Sequence, residues 1–398
     1  MTFFPASEAI DGTAAILDHP EAGAESSLVP QDPLEEWVWR TCVDVPPDVE
    51  EEAEEGEEEK GHAVVTEPDN LWENGKTITY SFLGPAPLSG TPRQQKKVIK
   101  VLTSTPSTWK DYANIKFKLL PSSLPASQAI VRIQFIKGTA SWAHIGRKCQ
   151  YIDPSLPTMN LGWIADSDNL SDTDRAVVLH EFGHVLGLLH EHQSPAIGGV
   201  ITLKAQQVKE VFKRTKGWSE KQVEEQILRP YQSSELTNFT EFDSNSIMMY
   251  YMPREMNDQD IDIAPNDALS KFDKAFVAVH YPFFGPKAPA KPDARIENAL
   301  RVLGIAPDED EAGEGETLLP LDDETPEPTE EEKAEMQRLA EERQKKLEDK
   351  ERIMRLYRKG DWMEIREAVR EIYASVREER MKGVAERLRA LAKKPVMK

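Results

Sequence analysis

The sequence predicts a central domain of the α+β class, flanked by a disordered acidic N-terminal segment and a helical C-terminal extension. Residues alternate between apolar and polar at 76–82 and 130–135, as in half-buried strands, and helical stretches stand between and after them. The distribution of charge distinguishes the central domain from its flanks. The 398 residues carry a formal net charge of −21, but residues 1–60 alone hold 18 acids against two bases, and the stretch 61–304 is nearly neutral.

Cap and breaker residues place the remaining elements of the central domain. Thr91 and Pro92 suit the N-cap and first turn of a helix that ends near Ser104, and Pro106 should interrupt it before residues 109–112 resume. Ser171, followed by acidic residues, caps a helix that runs on through 176–189. A further strand is expected at 158–164 and a further helix at 204–214.

Four regions follow from these patterns: 1–65, an acidic and disordered segment; 66–283, the folded domain; 284–328, a linker rich in Pro and acids; and 329–398, a charged helical module. In the last region a stripe of Ile365, Val369, Ile372 and Val376 continues through Val384, Leu388 and Leu391. It predicts an amphipathic helix or helical hairpin that docks or self-associates, or one that binds a separate protein partner.

Composition excludes several classes of function. No concentrated basic face points to nucleic acid, and no run of about 18 apolar residues could cross a membrane. The N-terminus lacks the basic and apolar stretches of a secretory signal, so a cytoplasmic or non-classically exported protein is expected, with the compartment left open. Two cysteines, Cys42 and Cys149, are too few for a disulfide-built scaffold.

Four of the eight histidines lie in one short stretch, His180 to His192. His180 and His184 are one helical turn apart, so both imidazoles can face one metal ion. Glu181 lies beside the first of them, and Gly187 permits a turn after which His190 can supply a third nitrogen. Three protein ligands and one open position are typical of catalytic zinc.

The stretch 180–190 resembles the zinc signature of the metzincin peptidases, and the following Glu191–His192 is similar to the astacin branch. Ser246–Tyr250 resembles the astacin Met-turn, residues 71–75 the opening of that domain, and residues 269–273 its closing segment. The resemblance covers roughly 68–282 and is strongest to fungal and bacterial members. It implies a twisted, mainly parallel sheet with an antiparallel edge strand, two long helices and an irregular lower half.

The resemblance also assigns roles. His180, His184 and His190 would bind one zinc ion, Glu181 would be the general base, and Tyr250 would stabilise the oxyanion. Two further residues have family counterparts: Met248 would lie beneath the metal, and Glu191 matches a glutamate that contacts the new N-terminus of activated members. A peptide substrate would add to the edge strand, expected within 141–152.

The function expected is therefore a zinc metalloendopeptidase that acts on proteins or peptides. The alternative is a catalytically silent peptide-binding or scaffold protein on the same fold; the presence of both Glu181 and Tyr250 favours the enzyme.

The role of the N-terminal segment stays open at this point. Arg40–Cys42 partly resembles the cysteine switch of another metzincin branch, in which a propeptide thiolate caps zinc, although the spacing differs. Because the spacing is not that of the motif, the sequence favours the alternatives, in which Cys42 is an unremarkable thiol or pairs with Cys149. Astacin propeptides place an aspartate on the metal instead, and Asp32 and Asp44 are among the candidates for that role.

Overall fold

The computed structural model describes residues 32–42, 70–137, 140–194, 201–229, 242–249, 251–284, 292–308 and 329–375. Five strands form one sheet in the order β2-β1-β3-β5-β4. The strands are β1 (Thr77–Phe82), β2 (Lys116–Leu119), β3 (Val131–Gln134), β4 (Trp142–Ala143) and β5 (Met159–Asn160). β1 pairs in parallel with β2 and β3, and β3 pairs in parallel with β5. Only β4, at the edge, is antiparallel, with Trp142 opposite Asn160.

The central domain also contains helices. They are α2 (Pro92–Thr103), α3 (Trp109–Tyr112), α4 (Asp172–Val185), α5 (Ala205–Lys216), α6 (Glu220–Val223), which continues as a π-helical turn over Glu224–Leu228, and α7 (Lys271–His280). Of the described residues between α4 and α7, most lie outside α5, α6 and the π-helical turn, in irregular segments. The expected mainly parallel sheet with an antiparallel edge, the two long helices α2 and α4, and the irregular lower half are confirmed.

Helices α2 and α4 are fixed to each other and to the sheet. The ammonium of Lys97 on α2 lies 2.8 Å from the carboxylate of Asp174 in the first turn of α4, and both side chains are buried. Phe182 on α4 packs edge-on against Phe117 of β2 and Tyr80 of β1. Since Phe182 is held against the sheet, residues on other faces of α4 are free to meet the irregular half of the domain.

Beyond α7, the described residues form three helices. α8 (Pro292–Val302) lies within the predicted linker, which is therefore not without regular structure, whereas α9 (Glu330–Lys359) and α10, residues 362–375, belong to the C-terminal module. Gly360, with φ of +76°, ends α9 and lets the chain reverse. α9 and α10 then run side by side, joined by an Arg352–Glu371 ion pair of 2.6 Å and a Lys345–Ser375 hydrogen bond. Of the two predicted alternatives, a single amphipathic helix or a helical hairpin, the described residues form the hairpin.

The apolar stripe of α10 faces the same chain. Ile365, Val369 and Ile372 are buried in one cluster with Ala275 and Val279 of α7 and with residues of α8 and α9. The module is therefore packed against the central domain, and the described part of the stripe is not offered to another protein. Val376 and the residues of the stripe after it lie outside the described residues.

The N-terminal segment differs from the prediction of disorder at residues 32–42. Pro33–Trp39 form helix α1, which Asp32 caps by accepting hydrogen bonds from the amides of Leu34 and Glu35. The reason lies in its composition: Trp37 and Val38 are buried in the core of the central domain, so this stretch gains apolar burial that the Glu-rich block at 50–60 cannot. α4 also ends at Val185, four residues before its predicted end at 189, and β5 is shorter than the predicted strand at 158–164.

Across the described residues, no helix is long and apolar enough to cross a membrane.

Candidate metal centre

Helix α4 carries the first two histidines of the site. Ser171 caps the helix: its hydroxyl accepts from the amide of Asp174, whose side chain in turn accepts from the Ser171 amide. His180 and His184 lie one turn apart, with ring centroids 4.9 Å apart. Glu181, between them in sequence, is fully buried. The spacing predicted from the sequence therefore brings two imidazoles and one carboxylate to a single place.

The chain reverses direction after α4 and brings the third histidine back beside the first two. Gly187 adopts φ of +95°, in the left-handed region that favours glycine. His190 then lies with its Nε2 atom 3.1 Å from Nε2 of His184. The predicted turn and the predicted third nitrogen are both present.

Hydrogen bonds to backbone carbonyls orient two of the rings. Nδ1 of His180 donates to the carbonyl of Ile247 over 2.7 Å, and Nδ1 of His184 donates to the carbonyl of Leu188 over 2.9 Å. A carbonyl oxygen can only accept, so Nδ1 carries the proton in each ring and Nε2 keeps its lone pair for a metal. Burial, followed by the neighbouring His184, lowers the pKa of His180 to about 3, which keeps this ring neutral.

Cys42 from the N-terminal segment joins the three histidines. The Sγ atom of Cys42 and one nitrogen of each of His180, His184 and His190 all lie within 4.8 Å of one another. The same Sγ lies 3.5 Å from Nε2 of His184 and 3.5 Å from Oε2 of Glu181. Three imidazole nitrogens and one thiolate are a donor set that suits zinc, so the residues present fit this metal.

Helix α1 holds Cys42 in that position. The ring of Trp37 packs edge-on against Phe212 of α5, with centroids 5.2 Å apart, and is 1% exposed. The hydroxyl of Thr41 donates to the carbonyl of Trp37 over 2.9 Å, which fastens the residue before Cys42 to the docked helix. Asp32, a candidate aspartate for the metal, instead caps α1, and Asp44 lies outside the described residues.

The two cysteines form no disulfide with each other. Cys149 is a buried thiol whose Sγ donates to the carbonyl of His144 over 3.2 Å, whereas Cys42 lies in the donor group. The Cys42–Cys149 disulfide, one of the alternatives left open by the sequence, is therefore wrong. Sequence reasoning identified Cys42 only as one alternative among three. The apolar residues 37–38 inside an acidic segment were the signal that could have favoured Cys42 as a metal ligand, because they indicate that this segment docks on the domain.

The Met-turn lies directly against the zinc-binding helix. A Cβ atom on Gly183 would come within 2.5 Å of the Met248 sulfur, so the missing side chain of Gly183 leaves room for Met248 where the turn crosses α4. Asp273 of α7 fixes the turn by accepting hydrogen bonds from the Ser246 hydroxyl and the Ile247 amide, at 2.7 and 2.8 Å. Since the Ile247 carbonyl orients His180, the turn also sets the direction of one candidate ligand.

The other residues singled out from the sequence have different outcomes. Glu191 is close by: one of its carboxylate oxygens accepts from the amide of Asp243 over 2.9 Å, and burial raises its pKa to about 8. Tyr250 lies outside the described residues, so its predicted role stays a prediction. The edge strand β4 falls within 141–152, as the resemblance implied.

The chain is similar to several known proteins. A family model described as Astacin, a peptidase family, matches residues 64–282. Two solved structures of myroilysin are similar: one is 30% identical, covers 56% of this chain and all of its own (TM-score 0.48), and the other is 27% identical, covers 67% and all of its own (TM-score 0.42). A hatching enzyme zinc-protease from Oryzias latipes is 13% identical and covers 54% of this chain and 96% of its own (TM-score 0.36).

A search of curated proteins gave no match. The family model spans more than half of the chain and contains the three histidines, the neighbouring glutamate and the Met-turn. The chain therefore belongs to the astacin family of zinc metallopeptidases.

Proposed function

We propose that this protein is a zinc metalloendopeptidase that hydrolyses peptide bonds in proteins, and that Cys42 holds it in a latent form. The observation that carries the proposal is the convergence of four metal donors with one carboxylate. Cys42, His180, His184 and His190 place their donor atoms within 4.8 Å of one another, and Glu181 reaches the same point.

His180, His184 and His190 would hold the zinc ion in the active form. When bound, zinc supplies a Lewis acid that activates water and polarises the scissile carbonyl group. The donor group itself gives the site its selectivity, because neutral imidazoles directed by backbone carbonyls are preferred zinc ligands.

Glu181 is the proposed proton carrier of the reaction. Its carboxylate takes a proton from the attacking water and delivers it to the nitrogen of the leaving amine. The side chain is fully buried and its Oε2 atom lies 3.5 Å from Cys42 Sγ, so the carboxylate is directed at the place that the thiol occupies. Tyr250 remains the proposed oxyanion donor, and β4 the strand to which a peptide substrate adds.

Latency follows from the number of protein ligands. Zinc with four protein ligands has no open position for water, whereas catalytic zinc has three. Cys42 would be the fourth ligand, held by the docking of Trp37 against Phe212. Activation then requires the segment 32–42 to leave the domain, whether by displacement or after cleavage of the chain.

Cleavage of an unstructured protein by four forms of the full-length chain tests the proposal: wild type, Cys42→Ser, Cys149→Ser, and Cys42→Ser combined with Glu181→Ala. We expect Cys42→Ser to cleave at least tenfold faster than wild type, because it loses the capping thiolate. Cys149→Ser is the matched control for loss of a buried thiol and should remain as slow as wild type. The double variant should bind zinc and not cleave.

Two results would contradict the proposal in different ways. Equal activity of wild type and Cys42→Ser would contradict the proposed latency but not the proposed peptidase activity. A zinc-loaded Cys42→Ser chain with no activity above the double variant would contradict the proposed peptidase activity and favour the silent peptide-binding alternative. The buried Glu181 at the donor group argues against that second outcome.

A further inference from the structure

The end of the zinc-binding helix is held by two aromatic residues. The last carbonyls of a helix have no partner within it, and at the end of α4 this applies to Val185 and Leu186. The indole Nε1 of Trp72 donates to the Val185 carbonyl over 2.6 Å, and the hydroxyl of Tyr281 donates to the Leu186 carbonyl over 2.7 Å. The amide of Trp72 also donates to the Tyr281 hydroxyl over 3.3 Å.

These two carbonyls immediately precede the turn at Gly187 that returns His190 to the donor group. The position of His190 relative to His184 therefore depends on how firmly Trp72 and Tyr281 hold the end of α4. Both aromatic residues act on the backbone of α4 and not on the donor atoms, so their influence on the metal centre is indirect.

One residue of the C-terminal module fastens both of them. The guanidinium of Arg366 on α10 donates to the carbonyl of Trp72 over 2.7 Å and, through Nε, to the carbonyl of His280 over 2.9 Å. It also lies over the ring of Tyr281, 4.9 Å from the centroid, and over the ring of Trp362 at 4.6 Å. Desolvation lowers the pKa of Arg366 from its ordinary value. Two carbonyls and two ring faces offset this desolvation, and the negative charge of Glu73 also favours the charged guanidinium.

We propose that Arg366 is a positioning residue that couples the C-terminal module to the zinc site, by fixing Trp72 and Tyr281 against the end of α4. The C-terminal module then stabilises the metal centre and is not only a surface for binding other proteins. The inference rests on zinc as the metal of the proposed function but does not require peptide hydrolysis.

Zinc affinity of the full-length chain, measured by competition with a chromophoric chelator, tests the coupling. We expect Arg366→Ala to weaken zinc binding at least tenfold and Arg366→Lys at least threefold, since an ammonium cannot make both hydrogen bonds and stack on both rings. Arg352→Ala is the matched control: it removes an exposed arginine of the same module, paired with Glu371, and should change zinc affinity by less than twofold.

A second pair of variants separates positioning from general loss of stability. If Arg366 acts through the turn that carries His190, then Arg366→Ala should weaken zinc binding less than threefold in a His190→Ala background. A merely structural residue would lower the melting temperature of the metal-free chain and leave zinc affinity within twofold of wild type, and that result would overturn the proposal. Should Arg366→Ala fail to fold, an unchanged zinc affinity in Arg366→Lys decides against it equally. A zinc-loaded Cys42→Ser chain that cleaves no faster than its Glu181→Ala double variant would count against the peptidase alone and leave the coupling untouched.

Discussion

Truncation of Trp37 to alanine should release Cys42 from the metal centre. Trp37 is 1% exposed and packs edge-on against Phe212, and in the undocked segment this side chain would return to water. Removing a fully buried tryptophan side chain costs about 3–5 kcal/mol. Because α1 has only seven residues and can shift in place, we take the lower value. About 3 kcal/mol corresponds to a roughly 100-fold larger population of the undocked segment.

The alkylation rate of Cys42 under native conditions reports this population. When docking is fast relative to alkylation, the observed rate is proportional to the undocked fraction. A Cys149→Ser background leaves one reactive thiol in the chain, and protection of Cys42 by the metal is common to all variants, so it cancels in the ratio. We expect Trp37→Ala to be alkylated about 100-fold faster, a factor that follows from the free energy above.

Glu35→Ala is the matched control on the same helix. Glu35 is exposed, so its removal should change the alkylation rate by less than about threefold, which is the scale of first-turn charge effects in helices. A Trp37→Ala rate within threefold of wild type would refute the reasoning, because it would mean that the buried indole does not hold the segment in place.

Three further predictions concern stability and the metal. Burial lowers the pKa of His280 to about 3, so between pH 6.5 and 3 the unfolded chain takes up a proton that the folded chain does not, and stability falls as pH falls. In His280→Gln, the free energy of unfolding measured by denaturant titration should fall by about 2 kcal/mol less between pH 7 and pH 5 than in wild type. Lys97→Met leaves the Asp174 carboxylate buried without its partner and should lower the free energy of unfolding by about 3 kcal/mol in urea titrations, against a near-zero effect for the exposed Arg93→Met. Removal of zinc by a chelator should accelerate alkylation of Cys42, and an unchanged rate would mean that the thiol is not a ligand.

The zinc-binding helix could be predicted from local sequence because every signal for it is close in sequence. Ser171 caps it, the histidines are one turn apart, and Gly187 supplies the reversal, all within about twenty residues. The same holds for α2, with Thr91 and Pro92 at its start. The short strands β2 and β4 were not predicted: Lys116–Leu119 alternates between polar and apolar residues over only four positions, and Trp142–Ala143 has only two residues. The pairing of such short strands is set by the rest of the sheet.

The contacts that decide the state of the site are far apart in sequence. Cys42 meets Glu181 across 139 residues, and Arg366 meets Trp72 across 294. No local pattern encodes such pairs, because they depend on how whole elements dock. Trp37 appears in the sequence only as an apolar residue in an acidic segment, and Arg366 only as one of many cations on a charged helix.

Both flanks thus contribute to a metal centre whose motifs lie entirely in the central domain. Cys42 adds a donor to it, and Arg366 fixes the residues that hold the end of α4. The two effects have opposite consequences for catalysis, since loss of Cys42 opens a position for water and loss of Arg366 weakens the hold on zinc. A fragment limited to 66–283 would lose both at once, and its activity could rise, fall or stay the same without contradicting either role. Single-residue variants of the full chain separate the two effects, because loss of Cys42 should raise the cleavage rate, whereas loss of Arg366 should weaken zinc binding without any gain of cleavage.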